Sequence, residues 1–234
     1  MPRLYIDIET IPTTRDDVLE RIRAKADADA RTARVPADIA KIKGADLRVV
    51  RESAWRGERL GRAARDAEEA IHRTALDGGY GELACICWAF DDGEIHDAVR
   101  GRDGGEVMLL HKFFADLRGT MHAIKWVGHN VEFDLRFLHH RSIINGVRSP
   151  QHIPANDAPW KGTYYDTMRE WSGLRGTVKL TVLCDMLGID ISEDDIDGSE
   201  VWQAWQQGRI VDIVDHCRAD VERVREIYRR MTWR

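Results

Sequence analysis

The chain is expected to form one α/β domain spanning residues 1–234. Its core is a mixed sheet flanked by helices, with a long charged helical insertion at about 13–76 after the first strand. Three observations predict this. Residues 3–9 alternate with period two, apolar strand-like runs recur at 83–90, 94–99 and 123–129, and helical periodicity fills much of the rest.

In the first run, Leu4, Ile6 and Ile8 share one face, Tyr5, Asp7 and Glu9 the other, and Pro12 ends the strand. Residues 14–76 are rich in Arg, Ala and Asp. DDVLERIRAKADADA and RAARDAEEAIHRTAL read as helices, while the centre near VPADIAKIKGADLRVV has broken periodicity. DGGYGE is a turn. LACICWAF and EIHDAV form a hairpin-like pair around DDG. EVMLLHKFFADL is an amphipathic helix, AIKWVGH a short strand and NVEFDLRFLHHR a helix. Residues 142–163, with Pro150, Pro154 and Pro159, read as a loop. TYYDTMREW starts as a strand and turns helical, KLTVLCDMLGI is a short helix and EDDIDGSE an acidic, turn-rich loop. One helical stretch covers about 200–231.

Composition narrows the function classes. The 234 residues carry 43% hydrophobic and 32% charged side chains, and no apolar run is long enough to span a bilayer. The N-terminus enters a strand pattern without a signal peptide's apolar stretch, so a cytoplasmic protein is expected. The four cysteines lack CxxC spacing and read as free core thiols rather than a zinc site. The net charge of −5 argues against nonspecific nucleic-acid affinity averaged over the surface. The charge is uneven, however: residues 13–76 hold 15 Arg and Lys against 12 Asp and Glu, and the remainder is acidic.

The acidic residues form the informative pattern. Asp7 and Glu9 project from one strand face about 7 Å apart, a spacing that lets both reach one metal or bridge two. Read alone, they could equally be harmless charges on an edge strand. Asn130 and Asp134 are i, i+4 on one helix face, and Asn130 could instead cap that helix. Asp134 has apolar neighbours at Phe133, Leu135, Phe137 and Leu138, whereas Glu132 is expected to be solvated. In the last helix, Ile213, Cys217, Val221, Val224 and Tyr228 mark a buried stripe. Asp220 and His216 both lie on one shoulder of it. Arg218 and Arg223 are expected to point elsewhere, so a metal fits Asp220 better than a salt bridge does.

Together these segments resemble the DEDD, or DnaQ-like, superfamily of 3′-5′ exonucleases, which has an RNase H-like fold. Asp7 and Glu9 match its D-x-E motif, Asn130, Phe133 and Asp134 its N-x-x-F-D motif, and Asp220 the final aspartate of the third. YYDTM, VKLTVLCDMLGI and WQQGRIVDIVDHCRADVERV look most like stand-alone exonucleases related to family B DNA polymerase proofreading domains. A long helical excursion after the first strand also occurs in such relatives, phage ones included, which would place the protein in a host cytoplasm. One position departs from the pattern. The tyrosine subclass has Tyr-x-x-x-Asp and the histidine subclass His-x-x-x-x-Asp, but here His216 precedes Asp220 by four and Asp215 fills the other slot. Histidine, with a reference pKa of ~6.5, can accept a proton from water near neutral pH.

The resemblance implies hydrolysis from a 3′ end with two Mg²⁺ or Mn²⁺ ions ~4 Å apart. It makes Asp7, Glu9, Asp134 and Asp220 the metal ligands and His216 the base. Asn130, Thr10 and Phe133 would lie at the substrate, with Phe133 the better candidate for core. Single-stranded DNA is the favoured substrate. An exoribonuclease and a non-catalytic nucleic-acid-binding module on the same fold are the rivals. The Arg residues of 13–76 could clamp phosphates or form a solvated helix face, and Trp160 is a weak candidate for stacking a base. The oligomeric state is not legible.

Overall fold

A computed structural model describes residues 1–102, 104–120, 123–189 and 196–233. Residues 193–195 of the expected acidic loop lie outside them. The chain divides into two compact units, Met1–Ile11 with Asp77–Arg234, and Pro12–Leu76.

The larger unit is built on a five-stranded mixed sheet. Its strands are β1 (Arg3–Ile11), β2 (Glu82–Phe90), β3 (His96–Val99), β4 (Lys125–Gly128) and β5 (Tyr164–Asp166). In the smaller unit lie α1 (Asp16–Thr32), α2 (Ala37–Ala40) and α3 (Ala45–Arg73). The helices of the larger unit are α4 (Glu106–Arg118), α5 (Val131–Ile144), α6 (Thr167–Ser172), α7 (Leu180–Leu187), α8 (Val201–Gln206) and α9 (Ile210–Thr232). The sheet order is β3-β2-β1-β4-β5. β1 is antiparallel to β2, β2 antiparallel to β3, β1 parallel to β4 and β4 parallel to β5. This mixed sheet with helices on both faces is an RNase H-like α/β exonuclease architecture.

The alternation along β1 sorts its side chains between two cores. Leu4, Ile6 and Ile8 pack with Leu109, Phe113 and Phe114 of α4 and Leu135 and Leu138 of α5. Tyr5 and Ile11 pack on the other face with Cys217, Val221 and Tyr228 of α9. The strand runs two residues beyond the expected 3–9, and a bulge between Glu9 and Thr10 shifts its pairing with β2.

Two further boundaries differ from expectation. The stretch about 200–231 is two helices, because Gly208 takes φ 72° and ends α8 before α9 begins. In the insertion, α3 runs unbroken from Ala45 to Arg73 through a region without clear periodicity. Its i, i+4 pairs Arg56–Glu52, Arg62–Glu58 and Arg73–Glu69 support a solvated helix that needs little apolar contact. α1 lies antiparallel to α3: Arg23 bonds Glu68, and Arg56 bonds the carbonyl of Arg31. Their interface is thin and alanine-rich, with Val18, Ala30, Ala63, Ala67 and Ile71 buried.

A buried ion pair anchors α4 to α5. Glu106 Oε1 and Oε2 accept from Arg141 at 2.8 and 2.5 Å, and the same carboxylate accepts from the Leu83 amide and the Asn145 side chain. Every oxygen of this buried acid is therefore compensated. Among the described residues, no helix is long and apolar enough to cross a membrane.

Candidate active site

The site forms where β1 outruns its parallel neighbour. β4 pairs with β1 only over Arg3–Tyr5, and the chain then turns at Gly128 into α5. Gly128 is required there by close approach: a Cβ would meet Val131 Cγ2 at 2.6 Å and the Ile6 carbonyl at 3.1 Å. The tight turn brings α5 beside β1, where the Ile8 backbone counters part of the rise that burial causes in the Asp134 carboxyl. Asp134 therefore reaches β1 from the α5 layer, whereas Asp7 and Glu9 face the α9 layer with Tyr5.

The α9 stripe then sets His216 and Asp220 beside β1. His216 Nε2 lies 3.4 Å from Glu9 Oε1 and 3.9 Å from Asp220 Oδ2. These three side chains are 11%, 12% and 18% exposed, for His216, Glu9 and Asp220 in turn. Asp134 is 5% exposed. Asp7 Oδ2 is buried and has no hydrogen-bond partner among the described residues.

Such crowding is unfavourable for anions. Burial, then repulsion from Glu9, Asp220 and Asp134, holds the Asp7 carboxyl well above the usual range. Glu9 is pushed up in the same way, by burial first and then by neighbouring groups that include Asp220 and Asp134. Burial also raises Asp134, with Asp166 and Asp220 adding repulsion and the Ile8 amide opposing it.

The Asp220 expectation needs correction. Arg223 does not point away: its buried guanidinium donates to Asp220 Oδ1 at 2.7 Å. Residues i and i+3 are helix neighbours, and the long Arg side chain spans the 60° offset between them. Arg218 does point elsewhere, to Asp97. Glu132 is not simply solvated either. It pairs with Arg169, whose Nη2 donates at 2.6 Å, and accepts the Tyr164 hydroxyl.

Asn130 sits at the N-cap of α5 with φ 56°, a conformation asparagine tolerates. Its side chain makes no cap bond and is exposed, while its amide donates to Asp166 Oδ1 at 2.9 Å. Thr10 is half-buried beside the bulge. Phe133 packs against the core next to Phe137. Trp160 is 83% exposed in the proline-containing segment.

Sequence reasoning missed Asp166 as a neighbour of this site. It accepts from the amides of Met168 and Arg169 to cap α6, and burial raises its carboxyl. The cap signal, an Asp immediately before a helix, was present in YYDTM. His129 holds Thr167 Oγ1 at 2.9 Å and the Val178 carbonyl at 2.8 Å, so both ring nitrogens serve the scaffold.

The donors converging here are hard carboxylate oxygens, the type that suits Mg²⁺ or Mn²⁺. Unpartnered Asp7 Oδ2 and the mutual repulsion of the acids fit a cation at this place. Among the described residues, the trio whose ligating atoms all lie within 4.8 Å of one another is not acidic; it is Cys85, Cys87 and Cys217. The carboxylates stand wider apart, as uncompensated anions do.

An RNase H-like sheet with acids gathered at the end of its first strand defines the class: an exonuclease-type α/β domain. Residues 83–233 match a family described as predicted 3′-5′ exonucleases related to the exonuclease domain of PolB, and the chain belongs to that family. The matched region contains Asp134, His216 and Asp220; Asp7 and Glu9 precede it. The chain is also similar to an uncharacterized protein of Methanocaldococcus jannaschii, with 30% identity over 116 residues. That match covers 45% of this chain and 62% of the relative.

Proposed function

We propose that the chain is a metal-dependent 3′-5′ exonuclease that shortens single-stranded DNA. The observation that carries this reading is the buried, unpartnered Asp7 Oδ2, set among Glu9, Asp134 and Asp220. Ionised in that position, a carboxylate is stabilised by a cation, and its neighbours supply further hard ligands.

Asp7 would be shared between two ions, Glu9 and Asp220 would hold the one nearer His216, and Asp134 would serve the other. Two bound divalent ions supply activation of a water and stabilisation of the leaving 3′ oxygen. His216 is suited to receive the proton of the attacking water at Nε2, which lies 3.4 Å from Glu9. Arg223 donates to Asp220 Oδ1, whereas the oxygen 3.9 Å from His216 Nε2 is Oδ2. The exposed Asn130 side chain would position the terminal nucleotide, with Thr10 near the first motif. Phe133, packed on the core, supports α5 more than it contacts a base.

The test uses 5′-labelled DNA and RNA single strands of matched sequence with Mg²⁺, Mn²⁺ or EDTA. A metal-dependent ladder shortening from the 3′ end is expected, absent in Asp7→Ala. A ladder on RNA alone would replace DNA by RNA as substrate. Intact label in every wild-type lane, or cleavage retained by Asp7→Ala, would remove the reading.

A further inference from the structure

Three of the four cysteines meet in space without any sequence motif to announce it. Cys85 and Cys87 are i, i+2 on β2 and face α9, where Cys217 projects between them and β1. All three are buried and free, and their sulfurs lie within 4.8 Å of one another. Cys184 belongs to a different cluster, with Leu183 and Ile227. The trio lies directly beside the acidic site: Cys85 pairs with Glu9 and Cys87 with Asp7 across the strands. Cys217 Sγ donates to the Asp7 carbonyl at 3.4 Å, and Cys87 Sγ to the Val214 carbonyl at 3.9 Å.

We propose that Cys85, Cys87 and Cys217 form a second metal site, one for a soft monovalent ion of the Cu(I) type. Three thiolates around one ion at about 2.3 Å stand about 4.0 Å apart, so the trio closes on an ion by less than ~1 Å of movement. Soft sulfur ligands select Cu(I) over the hard ions suited to carboxylates. Structural zinc takes four ligands, and this trio offers three. The surrounding Tyr5, Ala84, Ala89, Val214 and Val221 line the pocket with apolar surface, which keeps water from the soft ion. Hard and soft donors thus sit side by side on one face of the sheet, the carboxylates on β1 and two of the thiols on β2. The ion enters when α9 moves away from the sheet, so uptake is slow relative to ligand exchange in water. Coordination as thiolates releases the three thiol protons to solvent, including the one that Cys217 donates to Asp7 O, and so links this site to β1.

The experiment uses the full chain, reduced and anaerobic, titrated with Cu(I) as its acetonitrile complex against a Cu(I)-specific chelator. One equivalent is expected to be retained with a near-ultraviolet thiolate-to-copper band. X-ray absorption on the same wild-type sample should show three sulfur neighbours. Cys217→Ser and Cys85→Ser should lose affinity by more than the ~10–100-fold typical of an outer-shell change. Cys184→Ser should bind as the wild type does. No retained copper, fewer than three sulfur neighbours, or equal loss in Cys184→Ser would overturn the site. The absorption measurement decides the matter on wild-type protein even if a variant fails to fold. None of these readouts depends on nuclease activity.

Discussion

His216 stands within 4 Å of two carboxylates, placed there by α9. If it takes the proton of the attacking water, His216→Ala should lower the single-turnover cleavage rate by ~10²-fold or more. Folding should survive, because the side chain lies on the shoulder of the buried stripe. A rate near wild type would leave His216 as a partner of Glu9 only. Helical spacing alone brought His216 and Asp220 to one side of α9, so that much was legible. The cation beside Asp220 was not, because the reach of a long arginine is invisible in an angle count. Glu132 was missed for the same reason: Arg169 lies 37 residues away.

At the level of elements, the turn from β4 into α5 controls where Asp134 stands. Gly128→Ala places a methyl group 2.6 Å from Val131 Cγ2, and the backbone must shift to admit it. Overpacking of this kind costs about 1–3 kcal/mol. Denaturant unfolding should show that loss, and cleavage should fall as Asp134 moves off the Ile8 amide. Adding Val131→Ala should recover part of the loss by clearing the nearest contact. No recovery would mean that the obstacle is the Val131 Cβ, 2.8 Å away and kept by alanine, or the Ile6 carbonyl. The α4–α5 anchor gives a second test. Glu106→Ala strands the buried Arg141 guanidinium and should cost about 3–5 kcal/mol in the same unfolding measurement. Both strand alternation and the α9 stripe could be read in advance, since each is a local period. The bulge after Glu9 and the length of α3 could not, because one depends on β2 register and the other on surface ion pairs.

For the whole molecule, the clustered acids make stability depend on pH and metal together. Asp7, Glu9 and Asp134 have folded pKa values above their unfolded ones. The folded chain therefore binds more protons than the unfolded chain in that window. Without divalent ions, the stability these three acids contribute is fully present below the unfolded value of ~4 and is lost as pH rises toward the raised values. Calorimetry in EDTA should show this contribution to Tm declining as pH rises above about 4, with Asp7→Asn flattening the slope. Mn²⁺ should raise Tm near neutral pH in wild type and less in Asp7→Asn. Each ~1 kcal/mol corresponds to about 2–4 °C at this size. A flat profile indifferent to Mn²⁺ would show that the acids are not uncompensated. From the sequence alone came the α/β class, the two faces of β1, the stripe of α9 and a resemblance resting on dispersed acidic motifs. Those features are written in local periods and residue types. Tertiary structure decided the rest: Asp134 reaching β1 from the opposite layer, Arg223 closing on Asp220, and three thiols gathering beside the acids. The Cys217–Asp7 contact joins residues 210 positions apart. Distances of that kind are set by how layers pack on a sheet, and no local pattern encodes them.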